Sequence, residues 1–401
     1  MFNIYSSVAK HTTALGPILI ATIVSKMDDW EVEVIDENNY RRHGPKNEDG
    51  KPDHTALQRI RSADAVGLYG GLTSTVPRLY ELASFYRKQG VLTLAGGQHF
   101  IGDNIQEGLD HNIDYLIIGE GDKTIKELLN ALCRQENPDK IPGIAFYRNG
   151  KMIVTSPREM MTEELDRLPL PDFSLLRHSK ISLYPVSWVR GCGMHCEFCT
   201  VKGQVRYPSP NYLVDQITSL FERLNATNFF IVDDLFGQNR QTALTLCKCL
   251  KEYQELMGVN FFITVQIRLD KAKDIELLQA MREANIKVVA IGYESPIPAE
   301  LEAMDKKLKP DEMVELTNVF HRTGFLVHGM FIFGYPAKKG HKTLTIPAED
   351  HVKIFWKFIR KTRIDTIQIL LPVPLPGTEL TRRLAEDGRI FTKNVIGWEY
   401  Y

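Results

Sequence analysis

Gly191-Cys192-Gly193-Met194-His195-Cys196-Glu197-Phe198-Cys199-Thr200 carries three cysteines, separated by three residues and then by two. The run Leu183-Tyr184-Pro185-Val186-Ser187-Trp188-Val189 leads into it and reads as a buried strand. Lys202-Gly203-Gln204 follows and opens onto an amphipathic helical period over Asn211–Leu224. The cysteines therefore belong on a strand-to-helix loop, at the strand end where α/β folds place ligands.

Thiolates gathered on one tight loop suit a soft metal. A closed structural zinc site wants four ligands, and only three cysteines are present. His195 could serve as the fourth, although adjacent ligands such as His195 and Cys196 strain a tetrahedron. A cubane iron–sulfur cluster on three thiolates instead leaves one iron open to a chelating ligand.

The stretch resembles the radical S-adenosylmethionine superfamily, whose pattern is Cys-x3-Cys-x2-Cys with an aromatic residue before the last cysteine. Cys192, Cys196, Phe198 and Cys199 match it in full. The resemblance implies a [4Fe–4S] cluster on the three cysteines. Its open iron would chelate the amine and carboxylate of S-adenosylmethionine, whose reductive cleavage gives a 5′-deoxyadenosyl radical.

Composition sets the frame around this loop. A chain of 401 residues predicts two or three domains, with 43% hydrophobic and 25% charged residues in the ordinary globular range. A net charge of −1 gives no global attraction to nucleic acid or anionic lipid. No secretory leader and no transmembrane-length apolar span is read, so the expectation is a cytoplasmic protein without a membrane span. Cys133, Cys247 and Cys249 fall on helical patterns and are expected to be small buried side chains.

Residues 1–134 alternate strand and helix. Strands are expected at Phe2–Ser6, Glu31–Asp36, Ala65–Tyr69, Val91–Ala95 and Tyr115–Ile118. Such a pattern predicts a Rossmann-like, doubly wound parallel sheet. Three strand ends are rich in Gly and hydroxyl residues: Gly70-Gly71-Leu72-Thr73-Ser74, Gly96-Gly97 and Gly119-Glu120-Gly121. A dinucleotide is disfavoured, because the first turn lacks G-x-G-x-x-G even though Asp36 ends the second strand. Placed before a radical S-adenosylmethionine core, the unit looks like a cobalamin-binding domain. That resemblance puts Gly70, Gly71, Leu72, Thr73, Ser74, Gly96 and Gly97 against the corrin and its tail. The D-x-H-x-x-G motif that supplies a lower axial His is absent, so cobalamin would bind base-off with no protein His on cobalt.

Residues 135–180 read as a connector, with a hairpin around Asn149-Gly150 and a stiff Leu168-Pro169-Leu170-Pro171-Asp172 linker. Residues 181–401 resume the strand–helix alternation with six strands counted from the cluster strand. That count matches the partial (β/α)6 barrel of the superfamily. Relatives usually continue past Tyr401, so the barrel domain is expected to be shortened there.

Five barrel strand ends carry polar or Gly residues. S-adenosylmethionine offers an ammonium, a carboxylate, a ribose diol and an adenine, for which carboxylates and a guanidinium are fitting partners. Asp233 and Asp234 are candidates for the amine or ribose, or else cap the next helix. Gln266 and Arg268 share one strand face. Arg268 is the candidate for the methionine carboxylate, or else a rim ion pair. Gly292 and Glu294, in a strand-end motif of the superfamily, would meet adenine, unless Glu294 simply pairs with Arg268. Phe198 would offer its backbone carbonyl to adenine while its ring packs inside. No role is assigned to His99, His195, His321 or His328.

The resemblance implies a cobalamin-dependent enzyme that methylates an unactivated carbon of a small molecule. One S-adenosylmethionine would methylate cobalamin and a second would generate the radical, with a reducing partner such as flavodoxin or ferredoxin. Ring formation or oxidation, as in anaerobic porphyrin cyclases, is the enzymatic alternative. A metal- or cobalamin-binding sensor is the non-enzymatic one. Methylthiotransferases are disfavoured, since their N-terminal domain carries three further cluster cysteines.

Overall fold

A computed structural model describes residues 10–40, 43–162, 164–201, 203–339, 342–344 and 346–390. Contacts divide the chain into two units, one centred on Gly16–Met161 and one on Ile181–Val373. The expected first strand, Phe2–Ser6, and the tail Ile396–Tyr401 lie outside the described residues.

In the first unit, strand β1 (Val34–Ile35) stands apart from the main sheet. The sheet runs β2 (Ala65–Tyr69), β3 (Leu92–Gly96), β4 (Tyr115–Ile117), β5 (Ile144–Arg148) and β6 (Lys151–Val154), in that spatial order. β2, β3 and β4 pair in parallel, while β5 and β6 add antiparallel. The Rossmann-like core is thus present, and a hairpin extends it. Asn149 and Gly150 both take positive φ at the hairpin tip, as the Asn-Gly pair demands. The hairpin read as part of a connector is therefore integral to this sheet. The core packs Leu79 and Ala83 of one helix against Ala95, Phe100, Leu109, Leu116 and Ala145.

The strand expected at Glu31–Asp36 shrinks to β1, whose pairing partner is only two residues long. Glu31 and Glu33 both bind Arg61, at 2.9 and 3.0 Å. β1 pairs in parallel with β7 (Leu176–Arg177), which follows the Pro-rich linker. Cys133, expected to be buried, is exposed at the end of the helix Gly121–Cys133. Cys247 is buried, which pushes its thiol up to about 12.

The second unit is a six-stranded parallel sheet in sequence order: β8 (Tyr184–Val186), β9 (Asn228–Phe236), β10 (Phe262–Ile267), β11 (Ile286–Glu294), β12 (Leu326–Ile332) and β15 (Thr366–Leu370). This is the partial (β/α)6 barrel. Ile231, Val265, Val289, Ile291 and Val327 are fully buried along its strands, as continuous apolar runs in a parallel sheet require. A hairpin, β13 (Ala337–Lys339) with β14 (Lys342–Leu344), and a short helix, Pro298–Ala303, interrupt the alternation. Sequence periodicity did not anticipate either. Among the described residues no helix is long and apolar enough to cross a membrane.

Candidate active site at the barrel strand ends

The cysteine loop leaves β8 and is anchored from beneath by Asp233. One oxygen of this buried carboxylate accepts from Ser187 Oγ at 2.9 Å and from the amides of Trp188 and Val189 at 2.7 and 2.9 Å. Asp233 thus fixes the backbone that enters the loop. It does not cap the next helix, whose cap is Asn239. Its second oxygen is buried with no hydrogen-bond partner among the described residues. Desolvation on this scale outweighs the three donors and pushes the carboxyl up to about 7.

Gly191, at φ +80°, lets the loop pass the Gln204 carbonyl; a Cβ there would sit 2.6 Å from that oxygen. Gln238 donates to the Cys192 carbonyl at 3.1 Å. Cys192, Cys196 and Cys199 are all half-buried, and His195 is exposed. Burial pushes the Cys192 and Cys199 thiols up, and each is raised further by the neighbouring Cys196 and by Asp234. The thiols therefore feel one another across the loop. Among the described residues no three His, Cys, Asp or Glu side chains converge as ligands of a single ion. Three half-buried thiols on one short loop, with no fourth ligand beside them among the described residues, suit a cubane cluster, which takes one thiolate on each of three irons.

Around this loop stand the other strand ends. Asp234 is exposed, yet its protein surroundings push its carboxyl up, and its charge reaches Cys192 and Cys199. Gln266 donates to the Asp233 carbonyl at 3.2 Å. Arg268 grips Asp270 with two nitrogens at 3.0 and 3.1 Å, and its third lies 3.2 Å from Met194 Sδ in the cysteine loop. Arg268 is therefore already ion-paired, but with Asp270 and not with Glu294.

Glu294 closes β11 in a left-handed backbone, at φ +60°. Its partner is Lys306, 2.9 Å away. Burial works to lower the Lys306 ammonium, but Glu294 and Cys196 outweigh it and its pKa is raised. Gly292 leaves room for this carboxylate, since a Cβ there would lie 2.5 Å from Glu294 Oε1. Lys306 escaped the sequence reading, because Asp305-Lys306-Lys307 looks like a solvated charge run.

Two further networks hold the site. Ser295 donates to Glu300 at 2.5 Å, and Glu300 pairs with His351, all three fully buried. Tyr293, between Gly292 and Glu294, stacks on Phe331 and bonds Thr317 at 2.6 Å. The Phe198 ring packs edge-on against Tyr335, as expected for a ring turned inward.

In the other unit, the strand ends of β2 and β3 are tied together. Gly70 donates to the Gly96 carbonyl at 2.8 Å and His99 to the Gly70 carbonyl at 3.0 Å, both through backbone amides. Gly97 has φ +125°, and a Cβ there would meet Gly70 backbone atoms at 2.5 and 2.6 Å. Thr73 is buried against His99, at 3.3 Å. Ser74 is exposed beside it, as are Leu72 (66%) and Tyr69 (48%). An apolar and hydroxyl-bearing surface at the carboxyl ends of parallel strands fits a flat, partly apolar cofactor such as a corrin.

Residues 186–341 match the radical SAM superfamily model. The chain is 25% identical to the uncharacterized methyltransferase PH0819 of Pyrococcus horikoshii, over 82% of this chain and 72% of that one. It is also 25% identical to the hopanoid C-2 methylase of Rhodopseudomonas palustris, over 80% of this chain and 68% of that one. Among solved structures, the radical S-adenosylmethionine methyltransferase TsrM of Kitasatospora setae, with cobalamin and a [4Fe–4S] cluster bound, aligns with a TM-score of 0.73 at 16% identity. That alignment covers 93% of this chain and 72% of TsrM. With its cysteine loop at the end of a partial barrel and a Rossmann-like unit before it, the chain carries a radical SAM domain over residues 186–341 and shares the fold of TsrM.

Proposed function

We propose that the chain is a cobalamin-dependent radical S-adenosylmethionine methyltransferase acting on an unactivated carbon of a small molecule. The observation that carries this reading is the cysteine loop facing an acidic and cationic rim at the barrel strand ends. The presence of cobalamin with the cluster in TsrM, and the methylase activity named for the hopanoid relative, support it. When bound, the cluster supplies the electron that cleaves S-adenosylmethionine and cobalamin carries the methyl group.

The residues of the chain then bind and orient. Cys192, Cys196 and Cys199 hold the cluster. Asp234 is the carboxylate available to the methionine ammonium or ribose, because Asp233 is committed to the loop backbone. Lys306, with Arg268 behind it, supplies positive charge for the methionine carboxylate. Gly292 and the Phe198 carbonyl flank adenine, and Glu294 fixes Lys306 in place. Leu72, Ser74 and Tyr69 cover the corrin face, and the glycines Gly70, Gly71, Gly96 and Gly97 shape that surface. His99 is buried against Thr73, so cobalamin, base-off in this reading, has no His of this loop on cobalt. An external one-electron donor of the flavodoxin or ferredoxin class completes the system.

The test is anaerobic incubation of cluster- and cobalamin-loaded protein with a chemical reductant and S-adenosylmethionine. Formation of 5′-deoxyadenosine and S-adenosylhomocysteine is expected. Formation of 5′-deoxyadenosine alone, with no S-adenosylhomocysteine under any loading, would favour the cyclase or oxidase chemistry. Neither product would leave a sensor.

A further inference from the structure

Glu197 lies inside the cysteine motif, between Cys196 and Phe198, where ligation does not dictate residue type. Its side chain is 3% exposed. Tyr335 donates to one carboxylate oxygen at 2.5 Å, and the Lys338 ammonium holds the other at 2.7 Å. The Glu197 amide donates to the Met304 carbonyl at 3.3 Å. A buried carboxylate is costly unless it is both paired and hydrogen-bonded, and this one is both.

The clamp adds a third hold on the loop. Its entry is fixed by Asp233, and Cys192 by Gln238. Within the segment, Cys199 N donates to the Cys196 carbonyl and Val201 N to Cys199 Sγ. Neither of these ties the segment to the rest of the barrel. Glu197 does so, onto the residues that follow β12. Tyr335 touches both Glu197 and the Phe198 ring, so one side chain sets both neighbours.

Resting on the assignment of the three cysteines to the cluster, we infer that Glu197 is a positioning residue. Through Tyr335 and Lys338 it fixes where Cys196 and Cys199 present their thiolates and where the Phe198 carbonyl points. Residues that orient metal ligands typically change metal retention by about 10- to 100-fold when removed. Glu197 is expected to act in this range through cluster retention, and on S-adenosylmethionine through Phe198.

The experiment compares anaerobically reconstituted wild type, Glu197→Ala, Glu197→Gln and Tyr335→Phe. Each is challenged with an iron chelator, and the EPR spectrum of the reduced cluster is followed as S-adenosylmethionine is added. Glu197→Ala should release iron at least about tenfold faster and show a weakened response to S-adenosylmethionine. Glu197→Gln keeps an acceptor for Tyr335 and should recover most of the retention. Tyr335→Phe removes one donor without emptying the core and should fall between. Wild-type retention and an unchanged spectral response in both Glu197→Ala and Tyr335→Phe would overturn the inference. If Glu197→Ala does not fold, Tyr335→Phe decides it alone. Failure of the wild type itself to assemble a cluster would instead overturn the cysteine assignment.

Discussion

Lys306 and Glu294 form a partly buried ion pair, 2.9 Å apart, within electrostatic reach of Cys196. The pair puts a fixed ammonium beside the cysteine loop, whereas the Arg268 guanidinium is already taken up by Asp270. Charge at this edge therefore comes first from Lys306.

Lys306→Met should weaken S-adenosylmethionine binding by about 2 kcal/mol, roughly thirty-fold, the worth of one charge-assisted hydrogen bond. Iron content should be unchanged, since no ligand is removed. Arg268→Ala should cost less. Equilibrium dialysis with labelled S-adenosylmethionine measures both, and a larger loss for Arg268→Ala would reverse the assignment.

Asp233 links the site to pH. Its carboxyl ordinarily titrates at 3.8 and in the fold at about 7. Between those values the folded chain keeps a proton that the unfolded chain has released. This contribution to stability therefore declines as pH rises from about 4 to 7 and is flat above. Asp233→Asn retains the acceptor for Ser187, Trp188 and Val189 but cannot ionise. Chemical denaturation of cofactor-free protein at pH 5 and pH 7.5 should show a smaller difference for Asp233→Asn than for wild type. Equal differences would mean that Asp233 does not titrate in this window.

The Ser295–Glu300–His351 network sits directly behind the Gly292-Tyr293-Glu294 strand end. His351→Ala would leave the Glu300 carboxylate buried with only Ser295, which should destabilise the fold by about 3–5 kcal/mol. Glu300→Gln removes the charge along with the pair and should cost less. Thermal unfolding of the two variants, side by side, tests the order.

What the sequence made legible and what it hid divide along physical lines. Cys192, Cys196 and Cys199 stand within one loop, so their shared chemistry is written in local spacing. The inner barrel strands show as apolar runs because parallel strands are buried on both faces, whereas β15 shows one although it is largely exposed. Lys306, Glu197 and Asp233 are different. Lys306 and Glu197 read as solvated charges and Asp233 as a cofactor contact or helix cap, whereas their burial depends on partners 12, 138 and 45 residues away. The hairpin β5–β6 was visible in Asn149-Gly150, but its attachment to β4 is a tertiary pairing that no local pattern encodes. Arg268 was legible as a strand-end cation, but its capture by Asp270 two residues on was not.

Gly97 bears on the cobalamin reading through backbone geometry. An added Cβ would meet Gly70 C and O and the Gly71 amide at 2.5, 2.6 and 2.9 Å, and φ of +125° adds strain for any L side chain. Those atoms are backbone and cannot swing aside. Even Gly97→Ala should therefore part the ends of β2 and β3 and break the Gly70-to-Gly96 and His99-to-Gly70 bonds. A side chain that merely filled corrin space would behave otherwise: Val would block binding and Ala would be tolerated. Gly97→Ala is expected to abolish hydroxocobalamin uptake as fully as Gly97→Val, with a lowered melting temperature in both. Leu72→Asp, on an exposed side chain, should weaken uptake while leaving the melting temperature unchanged. In the wild type, base-off cobalamin with its tail base displaced and no His on cobalt should show no nitrogen splitting in the EPR spectrum of the cobalt(II) form; His99 is buried against Thr73 and is not offered to the metal. Normal uptake by both Gly97→Ala and Leu72→Asp would remove these strand ends from the cobalamin site. Clear nitrogen splitting would overturn only the base-off assignment.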